Sequence, residues 1–204
     1  MSNSPQSQNH TYSILDAARI FGELDTAQQL QTNFLSLYMG QSEELLSSVA
    51  PYLFSYQPDS EFGKWLLEKG WGNSWGMFVE TTVSLEDLRK HFRKFLLVKT
   101  EEGKELYFRF YDPRVLRIFL PTCDEQQLIE FFGPIKMFAM ESEDPEFAIQ
   151  FEFENGKLIS KQITKEHFWN KLNGKQDSNN EQIKINPTDE PNNPFGGKWS
   201  FLVD

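Results

Sequence analysis

The chain has 204 residues with 30 Asp or Glu against 20 Lys or Arg, a formal net charge of −10, and an aromatic content of 15% that includes 19 Phe and 5 Trp. That length suffices for a substantial core, the aromatics argue against a disordered body, and the acidic balance argues against general nucleic-acid binding, which needs a basic footprint. Cys123 is the single cysteine, which excludes an internal disulfide and a cysteine-based zinc site.

Residues 1–10 form a polar lead-in with no apolar stretch behind it, so no signal peptide is expected. No apolar run reaches the length of a membrane span, and the expectation is a soluble, cytoplasmic protein with no membrane partner. Thr11 to Leu15 reads as a strand. The segment from about Thr26 to Met39 reads as an amphipathic helix with Leu30, Phe34, Leu37 and Tyr38 on one face. Ser42 is placed to cap a second helix through Val49, and Ala50-Pro51 stops it before a strand over Tyr52 to Tyr56. Alternation of strand, helix and strand favours a mixed α/β layer. Asp59 opens a helix in which Phe62, Trp65 and Leu66 share a face and which Gly70 closes. Trp71, Trp75, Met77 and Phe78 follow as a loop and a core strand from Trp75 to Glu80, with an aromatic ligand pocket as the competing reading.

Ser84 to Phe95 carries the clearest helix signals. Ser84 suits the N-cap, Glu86 and Asp87 the first turn, and Leu85, Leu88, Phe92 and Phe95 an inward stripe, leaving Arg89, Lys90, Arg93 and Lys94 largely outward. A strand from Phe95 to Val98, a turn at Glu101-Glu102-Gly103 and a returning strand from Lys104 to Tyr111 complete a hairpin. Asp112 then fits a helix N-cap and Pro113 the first helical position, Val115, Leu116, Ile118 and Phe119 supply the apolar side, and Pro121 ends the helix. Arg109, Arg114 and Arg117 are thereby held at one strand-helix corner. Two readings stay open: an internal ion pair that fixes the corner, made with Asp112 by Arg109 or Arg114, or an anchor for a partner's carboxylates and carbonyls. Between Arg89 and Arg117 there are nine Lys or Arg against four Asp or Glu, a basic stretch on an acidic chain. That contrast suits an acidic protein surface better than a polyanion.

Asp124 and Gln127 have capping-box spacing ahead of a short helix with Leu128, Phe131 and Phe132, stopped by Gly133-Pro134. Strands over Ile135 to Met140, Phe147 to Phe153 and Lys157 to Ile163 follow, the last two joined by an Asn155-Gly156 turn, and Thr164 caps a helix through Leu172. From Asn173 to Gly197 the composition is that of a polar linker, beyond which Lys198 to Val203 is apolar enough to dock. The expected fold is α/β in the mixed α+β sense, a mixed sheet flanked by short helices with a C-terminal hairpin-helix extension. The expected organisation is a mobile N-terminus over 1–10, one domain over 11–172 and a linker with an apolar terminal segment over 173–204.

No nucleophile-base pair, metal cluster or phosphate-cradling loop has a sequence signature here, and no cofactor or metal is expected. The run FRFYDPRVLRIFLP, preceded by LEDLRKHFRKFLLV and followed by FFGPI, with YSILDAAR and APYL earlier in the same order, resembles the bacterial domain of unknown function 4123 family over about Tyr12 to Phe153. The resemblance implies a non-catalytic adaptor chaperone for an effector of the type VI secretion system. Its implied partners are a cognate toxin and the tip protein of the secretion spike. Partner-binding candidates are Arg89, Lys90, Arg93, Arg109, Tyr111, Asp112, Arg114 and Arg117, together with Trp199 and Phe201 of the terminal segment. Competing readings are an immunity-type protein with an acidic face for a cationic toxin, and a small hydrolase or ligand-binding domain using the Trp71 to Trp75 region.

Overall fold

The computed structural model describes residues 8–20, 22–100, 103–175, 183–184 and 199–201. Its centre is an antiparallel sheet built from β1 (His10–Asp16), β2 (Phe34–Ser36), β3 (Pro51–Ser55), β4 (Gly76–Thr81), β7 (Ile135–Glu141), β8 (Phe147–Glu154), β9 (Lys157–Thr164) and the two-residue β10 (Ile183–Lys184). Their order is β10-β9-β8-β7-β4-β1-β3-β2. A second, small sheet has the order β11-β5-β6, from Trp199–Phe201, Leu97–Thr100 and Glu105–Tyr107. The helices are α1 (Leu24–Leu30), α2 (Gln41–Leu46), α3 (Glu61–Trp65), α4 (Leu85–Arg93), α5 (Pro113–Phe119), α6 (Glu125–Phe132) and α7 (Lys165–Leu172). The class is α+β, and each strand pairing is antiparallel, so the expected mixed sheet is an antiparallel one.

Period-two burial splits the core between the two faces of the main sheet. Ile14, Met77, Val79, Phe138 and Met140 face α4, α5 and α6, while Leu15, Phe78, Met137 and Ala139 face α1, α3 and α7. Phenylalanine is the most frequent residue on the first face. Phe131 stacks on Phe138 with centroids 5.3 Å apart and meets Phe95 edge-on at 5.0 Å, and Phe108 meets Phe119 at 4.7 Å. Each such pair contributes about 0.5–1.5 kcal/mol beyond area burial. The second face closes over Trp71, Phe78, Phe168 and Trp169.

Local signals for the later elements agree with the structure. Ser84 accepts from the Asp87 N–H, Asp124 and Gln127 form the reciprocal capping box, and Thr164 accepts from the His167 N–H. Asn155 and Gly156 both take positive φ, at 52° and 77°, as the tight turn between β8 and β9 requires.

Several boundaries differ. The helix expected from Thr26 to Met39 ends at Leu30, and Phe34–Ser36 is the edge strand β2. Gln31 ends the helix by donating its side-chain amide to the Ser55 carbonyl while its side-chain oxygen accepts from the Asn33 N–H, which redirects the chain along β3. Gly40, rather than Ser42, precedes α2, and Ser60, rather than Asp59, caps α3 by accepting from the Gly63 N–H. The strand expected to run from Lys104 to Tyr111 stops at Tyr107. Phe108 and Phe110 are both needed in the core, so the backbone turns there, and the Asp112 N–H closes on the Arg109 carbonyl.

The lead-in over 1–7, Glu101-Glu102 of the expected turn and most of the polar segment after Lys175 lie outside the described residues. Within that segment, however, Ile183–Lys184 pairs with β9, and in the apolar segment after it Trp199–Phe201 pairs with β5. Among the described residues no helix is long and apolar enough to cross a membrane.

Candidate functional site

β1 and β7 both run antiparallel to β4, which lies between them, so their C-terminal ends reach the same end of the sheet as the start of β4. Asp16 ends β1 and Glu141 ends β7, and the turn entering α5 delivers Arg109, Tyr111, Asp112, Arg114 and Arg117 to this end. Asp16 is fully buried. Its backbone N–H donates to the Trp75 carbonyl at 2.9 Å, and its carboxylate accepts from the Ala18 N–H at 3.1 Å and from the Arg109 guanidinium. Burial pushes the Asp16 carboxyl above the usual carboxylate range, and the bonds from Arg109 offset this only in part.

Asp112 is also buried. It caps α5 by accepting from the Arg114 N–H at 3.0 Å and takes two side-chain bonds from Arg114, at 3.0 Å from Nε and 2.7 Å from the terminal nitrogen. Burial opposes its ionisation, but the Arg114 bonds outweigh burial and hold its pKa below the ordinary value. Arg117 donates to the Glu141 carbonyl at 2.7 Å. The Glu141 carboxylate accepts from the Gly72 N–H at 2.6 Å, the Ser74 N–H at 3.0 Å and the Ser74 hydroxyl at 2.9 Å, so it clamps the loop before β4. Arg19 reaches the Asn73 carbonyl of the same loop at 2.9 Å.

The corner is thus a network in which Asp16, Asp112 and Glu141 balance Arg109, Arg114 and Arg117. The internal ion pairs of the corner are therefore Asp112 with Arg114, among the residues expected to pair, and Arg109 with Asp16 rather than with Asp112. Arg109 and Arg114 keep half of their side chains open to solvent, which leaves their outer edges able to meet a further carboxylate or carbonyl. Tyr111 does not point outward. It is buried, and its hydroxyl is hydrogen-bonded to that of Tyr38.

Two of the four outward cations expected on α4 are also turned inward. Arg89 donates to the Tyr38 carbonyl at 2.7 Å and Arg93 to the Leu37 carbonyl at 3.0 Å, so both tie α4 to the segment after β2. That segment leaves its carbonyls without strand partners once β2 ends, and the long guanidinium side chains reach them. Lys90 remains exposed and pairs with Asp87 on its own helix at 2.9 Å. The side chains of Trp199 and Phe201 lie outside the described residues; their backbone is paired with β5.

The aromatic region does not form a ligand pocket. Trp71 donates its indole N–H to the Pro145 carbonyl at 2.6 Å, Trp75 is buried, and the space enclosed by Leu66, Trp71, Trp75 and Glu141 is about 10 Å³, about one water.

Sequence reasoning missed Asp16 and Glu141. Each had a signal: a carboxylate closing an otherwise apolar strand, SILD and MFAME, which cannot be buried without a donor set from elsewhere.

The family described as "Domain of unknown function (DUF4123)" matches residues 11–130. The match takes in Asp16, α4, the β5-β6 hairpin and the three arginines of the corner with Asp112, but not Glu141; it ends before FFGPI, short of the Phe153 limit read from the motifs. No curated protein and no solved structure matches the chain.

Proposed function

The chain belongs to the domain of unknown function 4123 family, and on that basis we propose that it is a non-catalytic adaptor chaperone that binds one cognate type VI effector and assists its loading onto the spike tip protein. The observation that carries this reading is the family match over residues 11–130, which spans the part of the fold where the polar corner is assembled. The order of the motifs within that span supports it. A rigid corner suits such a role, because a recognition surface held by buried ion pairs loses little conformational entropy on binding. The adaptor acts in the cytoplasm of the producing cell, before secretion.

The test is co-purification of the tagged chain with the products of its neighbouring genes. One toxin is expected to be retained, and deletion of the adaptor gene is expected to abolish secretion of that toxin alone. A chain that retains no neighbouring product, or whose deletion leaves secretion intact, overturns the reading.

A further inference from the structure

Of the eight large hydrophobic residues exposed among the described ones, Met39, Leu45, Leu46, Val49, Leu106 and Tyr107 fall on just two segments. The first of these segments follows Tyr38, whose carbonyl is held by Arg89 of α4. Leu106 and Tyr107 belong to β6, the outer strand of the small sheet, all three of whose residues are exposed.

The direction of the backbone on β6 follows from its register. The Phe108 N–H donates to the Leu96 carbonyl at 2.9 Å, and the hairpin pairs Leu97 with Tyr107, Val98 with Leu106 and Lys99 with Glu105. Alternation along an antiparallel ladder then turns Leu106 toward β5 and turns the N–H and C=O groups of Glu105 and Tyr107 away from it. Among the described residues no strand pairs with that outward edge. No proline or bulge blunts it, and an exposed tyrosine stands on it. The opposite edge of the same sheet, on β5, is already covered by strand addition, with Trp199–Phe201 antiparallel to Val98–Thr100.

We propose that the outward edge of β6 receives an extended segment of the cognate effector as a fourth strand, with apolar side chains of that segment resting on Leu106 and Tyr107. An extended backbone matches the outward donors and acceptors of Glu105 and Tyr107 together and displaces the water on them. Leu106 and Tyr107, both exposed, then select side chains at alternate positions of that segment. This inference rests on the adaptor reading and names the partner chemistry for it.

Glu105→Pro tests it, because proline at the first residue of an edge strand deletes one outward N–H and leaves the pairing of Leu106 and Phe108 with β5 in place. Effector binding is expected to weaken at least about tenfold in Glu105→Pro and to stay within about threefold of wild type in Glu105→Ala. In a parallel measurement on the wild-type chain, amide exchange at Glu105 and Tyr107 should slow on adding effector. Equal binding by both variants, or unchanged exchange at those amides, overturns the inference and leaves the adaptor reading standing. The exchange result decides if the proline variant fails to fold. A wild-type chain that binds no effector removes both, and a self-association lost in Glu105→Pro would show the edge to be an interface between copies instead.

Discussion

Asp16 and Arg109 stand 93 positions apart in the chain and form an ion pair whose carboxylate side chain is 1% exposed and whose guanidinium side chain is 43% exposed. The pair joins the end of β1 to the turn that enters α5, and so fixes how the helical layer sits on the sheet. Arg109→Ala leaves a buried carboxylate with one backbone N–H and no cation. The expected loss is about 2–4 kcal/mol, below the range for a fully buried pair because water already reaches the guanidinium. Arg114→Ala likewise strips the buried Asp112 carboxylate to its capping N–H, but Asp112 keeps the field of Arg109, so the loss should be smaller, about 1–2 kcal/mol. Urea unfolding of the two variants measures the difference, and equal losses would refute the unequal roles of the two arginines.

The α4 arginines separate in the same way from their lysine neighbour. Arg89→Ala and Arg93→Ala each strand a backbone carbonyl and should cost about 1–2 kcal/mol. Lys90→Ala removes only an exposed pair within one helix and should fall within about 0.5 kcal/mol of wild type. Thermal melts of the three variants suffice. A destabilised Lys90→Ala beside two neutral arginine variants would reverse the assignment.

Gly76 opens β4 opposite Leu15, and a Cβ there would lie 1.8 Å from the Ile14 carbonyl oxygen. Backbone cannot yield as a side chain does, so Gly76→Ala must push β1 and β4 apart next to Asp16. A loss of about 3 kcal/mol or more is expected. A melting temperature within a degree or two of wild type would show that the sheet accommodates the methyl group.

The pH dependence has two parts of opposite origin. Burial raises the phenol pKa of Tyr12, Tyr38, Tyr56 and Tyr111, that of Tyr56 to about 12. The folded chain therefore keeps protons that the unfolded chain has released, and stability should fall as pH rises above about 10. Tyr56→Phe should flatten that slope by at most about 1.4 kcal/mol per pH unit. On the acid side, Asp112 has a lowered folded pKa, so its contribution is complete above the ordinary Asp value and is lost as pH falls through the folded one. Asp16 acts in the opposite sense: its folded pKa is raised, so its effect is a loss of stability as pH climbs from the ordinary Asp value through the folded one. Stability curves of Asp112→Asn and Asp16→Asn should thus change slope in opposite directions below neutrality. Parallel curves would contradict one of the two shifts.

By itself the sequence determined whatever depends on neighbours within a turn or two. The capping box of Asp124 and Gln127, the caps at Ser84, Asp112 and Thr164, the Asn155-Gly156 turn and the inward stripe of α4 were legible because donor and acceptor lie within a few residues of each other. The family was legible for a related reason, since the order of short motifs survives without knowledge of their packing. Tertiary structure alone decided which charges meet. Asp16 reaches Arg109 only because β1 and the turn before α5 end at the same edge of the sheet, and Arg89 and Arg93 turn inward only because the segment after β2 presents bare carbonyls within their reach. The same holds for Phe34–Ser36, whose spacing fits a helix face as well as a strand until β3 offers it a ladder, and for Phe108 and Phe110, which leave the strand once the aromatic core claims both. A side chain's long-range partner is set by which elements the fold brings together, and that information is absent from any local window of residues.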